Sequence, residues 1–308
     1  MTAIRIFTYS WLYLVLVLLV KDITALNFVP KPSSLTIKHV NLKYPRSILR
    51  TLFSSVPERE YALRDICIDI DSESLVLLTG LSSSGKSALF KCLSSTSATH
   101  HCSDTKNVNL LEGAYWDGSI QINGQDVSSR NSNPILTTAK PIIVDRKFFG
   151  LRDDNKSVKE WLLSSFKRGE DISVETKSSY KALLEDLVYD MSEIFGLNEE
   201  TLGSSLINLS PSTQFSVTLV YASIQSIHEQ LIISSQIPDS IYYPILCLDE
   251  LFDFEHGAVV SKVGVGLQKL SHLGGIVIAA THKPHQLLSV ANRSIVLSGG
   301  KVIKDEVT

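Results

Sequence analysis

The sequence predicts an α/β fold: a β-rich N-terminal part, a core built on a phosphate-binding loop, an inserted helical segment, and a return to the sheet. Three observations predict it. Gly80-Leu81-Ser82-Ser83-Ser84-Gly85-Lys86-Ser87 is a complete G-x-x-x-x-G-K-[ST] pattern, set between the apolar run Ser74–Thr79 and the helix-like start Ala88–Leu93. Leu183, Leu184, Leu187, Val188, Met191, Ile194 and Phe195 recur at steps of three and four, the period of one apolar helical face. Two later apolar runs, Ile245–Leu248 and Ile276–Ala280, end in Asp249-Glu250 and Thr281-His282. Ligands of open parallel sheets sit at the carboxyl ends of strands, so these acids and this histidine are expected beside Lys86.

Taken in order, Leu35–Pro45 reads as a strand of mixed alternation stopped by proline, and Ile66–Ile70 as a second short strand. Ser74–Thr79 is a buried strand that feeds the phosphate loop. Ser94–Asp117, rich in Ser, Thr, His and Asn, reads as a surface insertion. Gly118–Gly124 alternates with period two and closes on Asn-Gly, a strand with a tight turn. Pro141–Val144 is a further strand candidate. Helical character begins at Ser157, and a second long helix is expected from about Gln214 to Ile233. Ser294–Leu297 and Lys301–Ile303 make a last hairpin around Gly299-Gly300.

The loop has a defined chemistry. Gly80, Ser82, Ser83, Ser84, Gly85, Lys86, Ser87 and Ala88 would turn backbone N–H groups toward phosphate oxygens, with the positive end of the following helix behind them. Lys86 would reach the terminal phosphates, and the Ser87 hydroxyl would face Mg²⁺.

Composition excludes some classes. With 44% apolar and 20% charged residues the chain is a folded protein, and a net charge of −3 without basic clusters gives no case for nucleic acid. Of the four cysteines, Cys67 and Cys247 lie in apolar strand-like runs and are expected to be reduced core residues. His100-His101-Cys102 has no second cluster at zinc spacing and reads as a solvated loop.

The N-terminus stands apart from the fold. Arg5 precedes an apolar run, Trp11–Val20, that ends at Lys21-Asp22. It has the size of a signal-peptide core, with cleavage near Ala25, and a signal anchor over residues 4–20 is the competing reading. Residues 26–34, with Phe28 and then Pro, Ser and Lys but no acid, resemble the bipartite plastid presequences of algae with red-derived plastids. An organelle or endomembrane destination is expected. A secreted one stays open.

From residue 35 to 308 the motifs, in their order, resemble the ATPase domain of ATP-binding cassette (ABC) proteins. The resemblance implies a P-loop NTPase of ABC type: an antiparallel N-terminal β part, a mixed sheet core, and an α-helical subdomain over about 157–235. It implies ATP and Mg²⁺ as ligands. Tyr44, at the end of Val40-Asn41-Leu42-Lys43-Tyr44-Pro45, matches the aromatic that stacks on adenine. Ile245-Leu246-Cys247-Leu248-Asp249-Glu250 matches Walker B, with Asp249 in the Mg²⁺ shell and Glu250 polarising the attacking water. His282 matches the switch histidine at the γ-phosphate. A second cassette, in a homo- or heterodimer, is the implied partner, and separate chains would supply any membrane pore. The family includes transporter subunits and soluble assembly ATPases of the kind used in iron–sulfur cluster building.

The chain also departs from that family. The LSGGQ signature appears only as Leu209-Ser210-Pro211-Ser212-Thr213-Gln214, without glycine and with an inserted residue or shifted register. Asp145 stands where the Q-loop glutamine belongs, and Leu251 replaces the usual proline after Walker B. The pocket built by one chain is therefore expected to be intact, while the surface that completes a partner's pocket is degraded. A nucleotide-dependent scaffold with weak or no hydrolysis is the alternative from another class. A phosphate-loop phosphotransferase is a third, opposed by the motif order and by the lack of a lid-like arginine cluster.

Overall fold

Parallel strands that are apolar on both faces must be covered on both faces, and this requirement organises the chain. The computed structural model describes residues 32–44, 61–95, 115–127, 141–145, 156–166, 174–236, 242–254 and 257–307. The N-terminal run, residues 26–31, Pro45 and the His100-His101-Cys102 cluster lie outside them. Among the described residues no helix is long and apolar enough to cross a membrane.

Four strands, β1 (Leu35–Lys43), β2 (Leu63–Ile70), β4 (Tyr115–Ile122) and β5 (Gln125–Asp126), form an antiparallel sheet in the order β2-β1-β4-β5. A second sheet runs β10-β9-β3-β8-β7-β6, from β3 (Ser74–Thr79), β6 (Ile142–Val144), β7 (Ile245–Asp249), β8 (Ile276–Ala280), β9 (Arg293–Ser298) and β10 (Lys301–Val307). Its pairs are parallel except the terminal hairpin β9–β10, so the sheet is mixed.

Alternation along β3 assigns its two faces. Val76 and Leu78 join β1, β2 and α1 (Lys86–Ser95) in one core, with Phe90 and Leu93 fully buried. Leu75 and Leu77 join a second core beneath the helices. β7 and β8 divide likewise: Cys247 and Ile278 face the first core, Leu248 and Ala279 the second.

The inserted helices are α2 (Val158–Ser165), α3 (Val174–Ile194), α4 (Glu199–Gly203) and α5 (Pro211–Gln236). Ser157 starts α2 with a reciprocal capping box to Glu160. Leu184, Leu187, Val188, Met191 and Phe195 pack into the second core, as their spacing requires.

Several expectations are corrected. Cys67 is exposed rather than core, because Ile66, Ile68 and Ile70 take the inward positions of β2 and leave Cys67 outside. Cys92 and Cys247 are buried. Tyr115–Asp117, expected in a surface insertion, begins β4. The long helix α5 starts at Pro211, not Gln214, since proline suits a first helical position. A sixth helix, α6 (Gly257–His272), has no counterpart in the sequence reading. Gly264 and Gly266 weaken its propensity, yet a Cβ on Gly266 would stand 2.9 Å from Phe195 Cδ1 and 3.0 Å from the Ile194 carbonyl oxygen. Close packing on the end of α3 requires Gly266, and close packing on Leu287 and Val290 requires Gly264.

Candidate functional site

The phosphate loop bends out of β3 into α1. Gly80 has φ of +143°, and a Cβ there would lie 2.2 Å from the Leu297 carbonyl oxygen, so only glycine fits. Ser83 takes the left-handed region at φ of 61°, which curls the loop between its exposed rim and its buried base. The Gly300 N–H of the β9–β10 turn donates to the Ser84 carbonyl at 3.0 Å, and the Arg64 N–H donates to the Gly300 carbonyl at 2.7 Å. The terminal hairpin thus buttresses the loop and ties it to β2. Ser84 Oγ is buried with no hydrogen-bond partner among the described residues. Helix geometry leaves the first-turn N–H groups of Lys86, Ser87 and Ala88 without intrahelical acceptors. The Ala88 side chain packs in the core, so only its backbone can meet a ligand.

Lys86 lies folded against the loop, its Nζ donating to the carbonyl oxygens of Gly80 at 2.9 Å and Leu81 at 3.3 Å. Burial lowers its pKa, and the charges of Glu250, Asp253 and Asp249 partly restore it. Those acids therefore stand on the same side of the sheet as the ammonium, as expected of one converging site. Ser87 Oγ donates to Asp249 Oδ1 at 3.2 Å. A hydroxyl beside a carboxylate is the hard oxygen donor set that suits Mg²⁺. The Asp249 carboxyl is pushed upward, first by burial and then by Glu250 and Asp145, while the Ser87 hydrogen bond and Lys86 oppose the shift. The acid in the Q-loop position is thus electrostatically felt at this oxygen pair.

β7 and β8 end side by side, with Asp249 paired to Ala280, and their tips present Glu250 and His282. Glu250 has φ of 55°, a strained conformation for a side-chain-bearing residue, held by its N–H donating to the Ala280 carbonyl at 2.9 Å. Its Oε1 lies 2.9 Å from His282 Nε2, and the same nitrogen is 3.4 Å from Lys86 Nζ. With the proton on Nε2 the imidazole donates to Glu250, and the ammonium approaches as a neighbouring charge.

Asp253 is a member to which the motif reading gave no role. It lies in the 3₁₀ turn Leu251–Phe254, almost fully buried. Its Oδ1 accepts from Thr281 Oγ1 at 2.7 Å and from the His282 N–H at 2.9 Å, and Lys283 Nζ donates to its carbonyl oxygen at 2.5 Å. Asp253 therefore fixes the segment that carries His282. An acid three residues past the Asp-Glu pair was its only signal in the sequence.

Tyr44 follows β1 and is 45% exposed, which leaves a ring face open to a base. Lys91 of α1 stands 5.6 Å from the ring centroid, which places the ring beside the phosphate-loop helix. The altered signature sits at the start of α5. Ser210 Oγ accepts from the Thr213 N–H at 3.2 Å and lies 2.9 Å from the hydroxyls of both Ser212 and Thr213. The Gln214 amide donates back to the carbonyls of Leu206 and Leu209. This helix start is occupied by its own side chains. Phe215 of α5 meets Phe252 edge-on, ring centroids 5.5 Å apart, and anchors that start to the turn behind Glu250.

A loop of this form at a strand–helix junction, faced by acids at neighbouring strand tips, defines a phosphate-loop nucleotide-binding α/β domain. No family model matches the chain. A protein of Methanosarcina acetivorans, described by inference as an ABC transporter ATP-binding protein, is 25% identical over 263 residues, covering 84% of this chain. The chain spans about a third of the length of that relative, 35%. A Clostridium perfringens protein that is part of an ABC transporter complex superposes with a TM-score of 0.60 at 17% identity, covering 90% of this chain and 89% of that one. A dimeric cassette in a post-hydrolysis state bound to ADP and Pi gives 0.55 at 18% identity, covering 89% and 98%. The structural likenesses show the fold. In motif order and in its curated relative the chain is similar to ATP-binding cassette (ABC) ATPase domains, and the solved cassettes share its fold.

Proposed function

We propose that the chain binds Mg-ATP between itself and a second cassette, is drawn together with it by the nucleotide, and hydrolyses ATP slowly. The convergence of Lys86, Ser87, Asp249, Glu250 and His282 on the phosphate-loop tip carries this reading. Ser87 and Asp249 would hold Mg²⁺, which neutralises phosphate charge when bound. Lys86 would leave the Gly80 and Leu81 carbonyls for the terminal phosphates. Glu250 would accept a proton from the attacking water, whose oxygen bonds to the γ-phosphorus as the bond to the β-phosphate oxygen breaks. His282, held by Asp253, would donate to the transferring group. Catalysis of this kind is positioning and charge stabilisation.

The self-capped start of α5 supports weak turnover. In the family, that surface would press backbone N–H groups on the partner's γ-phosphate. Here Ser210 already takes one of them, and Pro211 has none to offer. The same observation favours the second reading, a scaffold that ATP clamps without useful turnover. The purified chain is expected to bind Mg-ATP in calorimetry but release phosphate slowly, and brisk turnover by the chain alone would count against the proposal. In the same calorimeter, Tyr44→Ala is expected to weaken ATP about 5- to 150-fold, by analogy with the ~1–3 kcal/mol of base–aromatic stacking. An unchanged affinity removes Tyr44 from the site.

The Asp145 charge gives a pH signature. Because the Asp249 carboxyl is raised, its carboxylate is lost on acidification earlier than an ordinary one, and Mg²⁺-dependent binding should fail at correspondingly higher pH. Asp145→Asn removes one raising charge and should move that loss to lower pH. A profile of Mg²⁺-dependent ATP affinity against pH that does not move would refute the coupling.

A further inference from the structure

A second cluster of ligand-type side chains lies on the outer face of the antiparallel sheet, and it is independent of the nucleotide site. We infer that His39, Asp65 and Cys67 form a binding site for a divalent transition metal of the zinc type.

Two complementary β-bulges build it. The β1–β2 register steps from Ile37↔Ile68 to Val40↔Ile66, so Lys38 and His39 stand opposite Cys67 alone. The next step, to Leu42↔Leu63, sets Arg64 and Asp65 opposite Asn41 alone. Each bulge cancels the phase shift of the other, and Ile37, Val40, Leu42, Leu63, Ile66 and Ile68 all stay buried. The same steps bring Val40, Leu42 and Leu63 inward, where unbroken alternation from Ile37 and Ile66 would put His39, Asn41 and Arg64. The outer face gains a convergence of three side chains, which is what bulges do when they re-aim residues.

The backbone is bent for it. His39 has φ of 54° and Asp65 has φ of 50°, both in the left-handed region that side chains adopt at a cost. On the other edge of β1, His39 and Val40 face Gly118 alone, and a Cβ there would lie 2.6 Å from the His39 carbonyl oxygen. Asn41 locks both bulges: its Nδ2 donates to the His39 carbonyl at 3.0 Å and to Asp117 Oδ1 at 2.7 Å, and its Oδ1 accepts from the Asp65 N–H at 2.9 Å. The His39 N–H donates to Cys67 Sγ at 3.3 Å, a contact that a metal-bound thiolate keeps. Supporting hydrogen bonds of this sort orient metal ligands elsewhere.

The distances fit. His39 Nδ1 is 2.7 Å from Asp65 Oδ1 and 3.7 Å from Cys67 Sγ, and Sγ is 4.0 Å from Oδ1. Ordinary zinc bond lengths in a tetrahedron put the corresponding ligand separations at about 3.4, 3.6 and 3.6 Å. Rotations that open the imidazole–carboxylate hydrogen bond by several tenths of an ångström bring all three atoms to one ion. An imidazole, a carboxylate and a thiol select a zinc-type ion over Mg²⁺ or Ca²⁺. All three residues are exposed, so the fourth position opens to solvent.

Cobalt titration of the full chain, with Mg-ADP saturating the phosphate loop, tests the site. One Co²⁺ per chain is expected, with a thiolate-to-cobalt charge-transfer band that zinc abolishes. Cys67→Ser should eliminate the band. His39→Asn and Asp65→Asn, chosen because asparagine tolerates the left-handed region, should each weaken binding by at least about tenfold, the lower end of what loss of a ligand's supporting partner costs. Cys102→Ser should leave the band unchanged. Unaltered circular dichroism of the metal-free variants guards against misfolding. A band that survives Cys67→Ser, one that depends on Cys102, or no stoichiometric uptake at all overturns the proposal and leaves a hydrogen-bonded surface cluster.

Discussion

Replacing Glu250 by glutamine should cut ATP hydrolysis by about 10²- to 10⁴-fold, the usual contribution of a positioned general base. Glutamine keeps the length of the side chain and an oxygen that can accept from His282 Nε2, now 2.9 Å from Glu250 Oε1. It cannot take the water's proton. Nucleotide affinity should hold, and ATP-dependent association should persist or strengthen when followed by light scattering. Phosphate release that is measurable in the wild type and unchanged in Glu250→Gln would remove Glu250 from the reaction. If wild type and variant alike release nothing but still associate with ATP, the scaffold reading prevails.

Lys86→Ala is the second large effect. The ammonium is buried and needs a counter-charge, which Glu250, Asp253 and Asp249 supply only in part. A bound phosphate supplies the rest, through charge-assisted hydrogen bonds worth about 1.5–3 kcal/mol each. Losing even one weakens Mg-ATP by about 10- to 150-fold in calorimetry. Lys86 also pulls the raised Asp249 carboxyl down, so its loss should weaken Mg²⁺ binding as well. A thermal melt distinguishes this from unfolding, since the variant removes a desolvated cation. An affinity within about twofold of the wild type would show that the loop does not hold phosphate through this side chain.

Most of the candidate site was legible because each member sits where a chain pattern changes. Lys86 and Ser87 lie where a strand gives way to a helix, and Asp249, Glu250 and His282 where apolar runs stop. Asp253 was harder to assign, because its role is a contact 28 residues along the chain with Thr281, which no local pattern encodes. The helix α6 was missed for a different reason. Gly264 and Gly266 serve packing at the expense of propensity, and tertiary contact overrides the local signal there. Cys67 was misplaced although Ile66, Ile68 and Ile70 state the alternation, because the residues flanking a strand-borne cysteine say more about it than its own hydrophobicity. The paired bulges at His39 and Asp65 show in each strand only as a three-residue gap in the alternation, Ile37 to Val40 and Leu63 to Ile66; their pairing exists only in the register between strands.

The contact between the Gly300 N–H and the Ser84 carbonyl bears on biogenesis. A growing chain holds all eight residues of the phosphate loop long before residue 300 has been made. Until the β9–β10 turn emerges and docks, the Ser84 carbonyl lacks its donor and Gly80 lacks the Leu297 carbonyl against which it packs. Nascent polypeptide would therefore ignore cellular ATP, and nucleotide would reward only molecules whose synthesis has passed that turn.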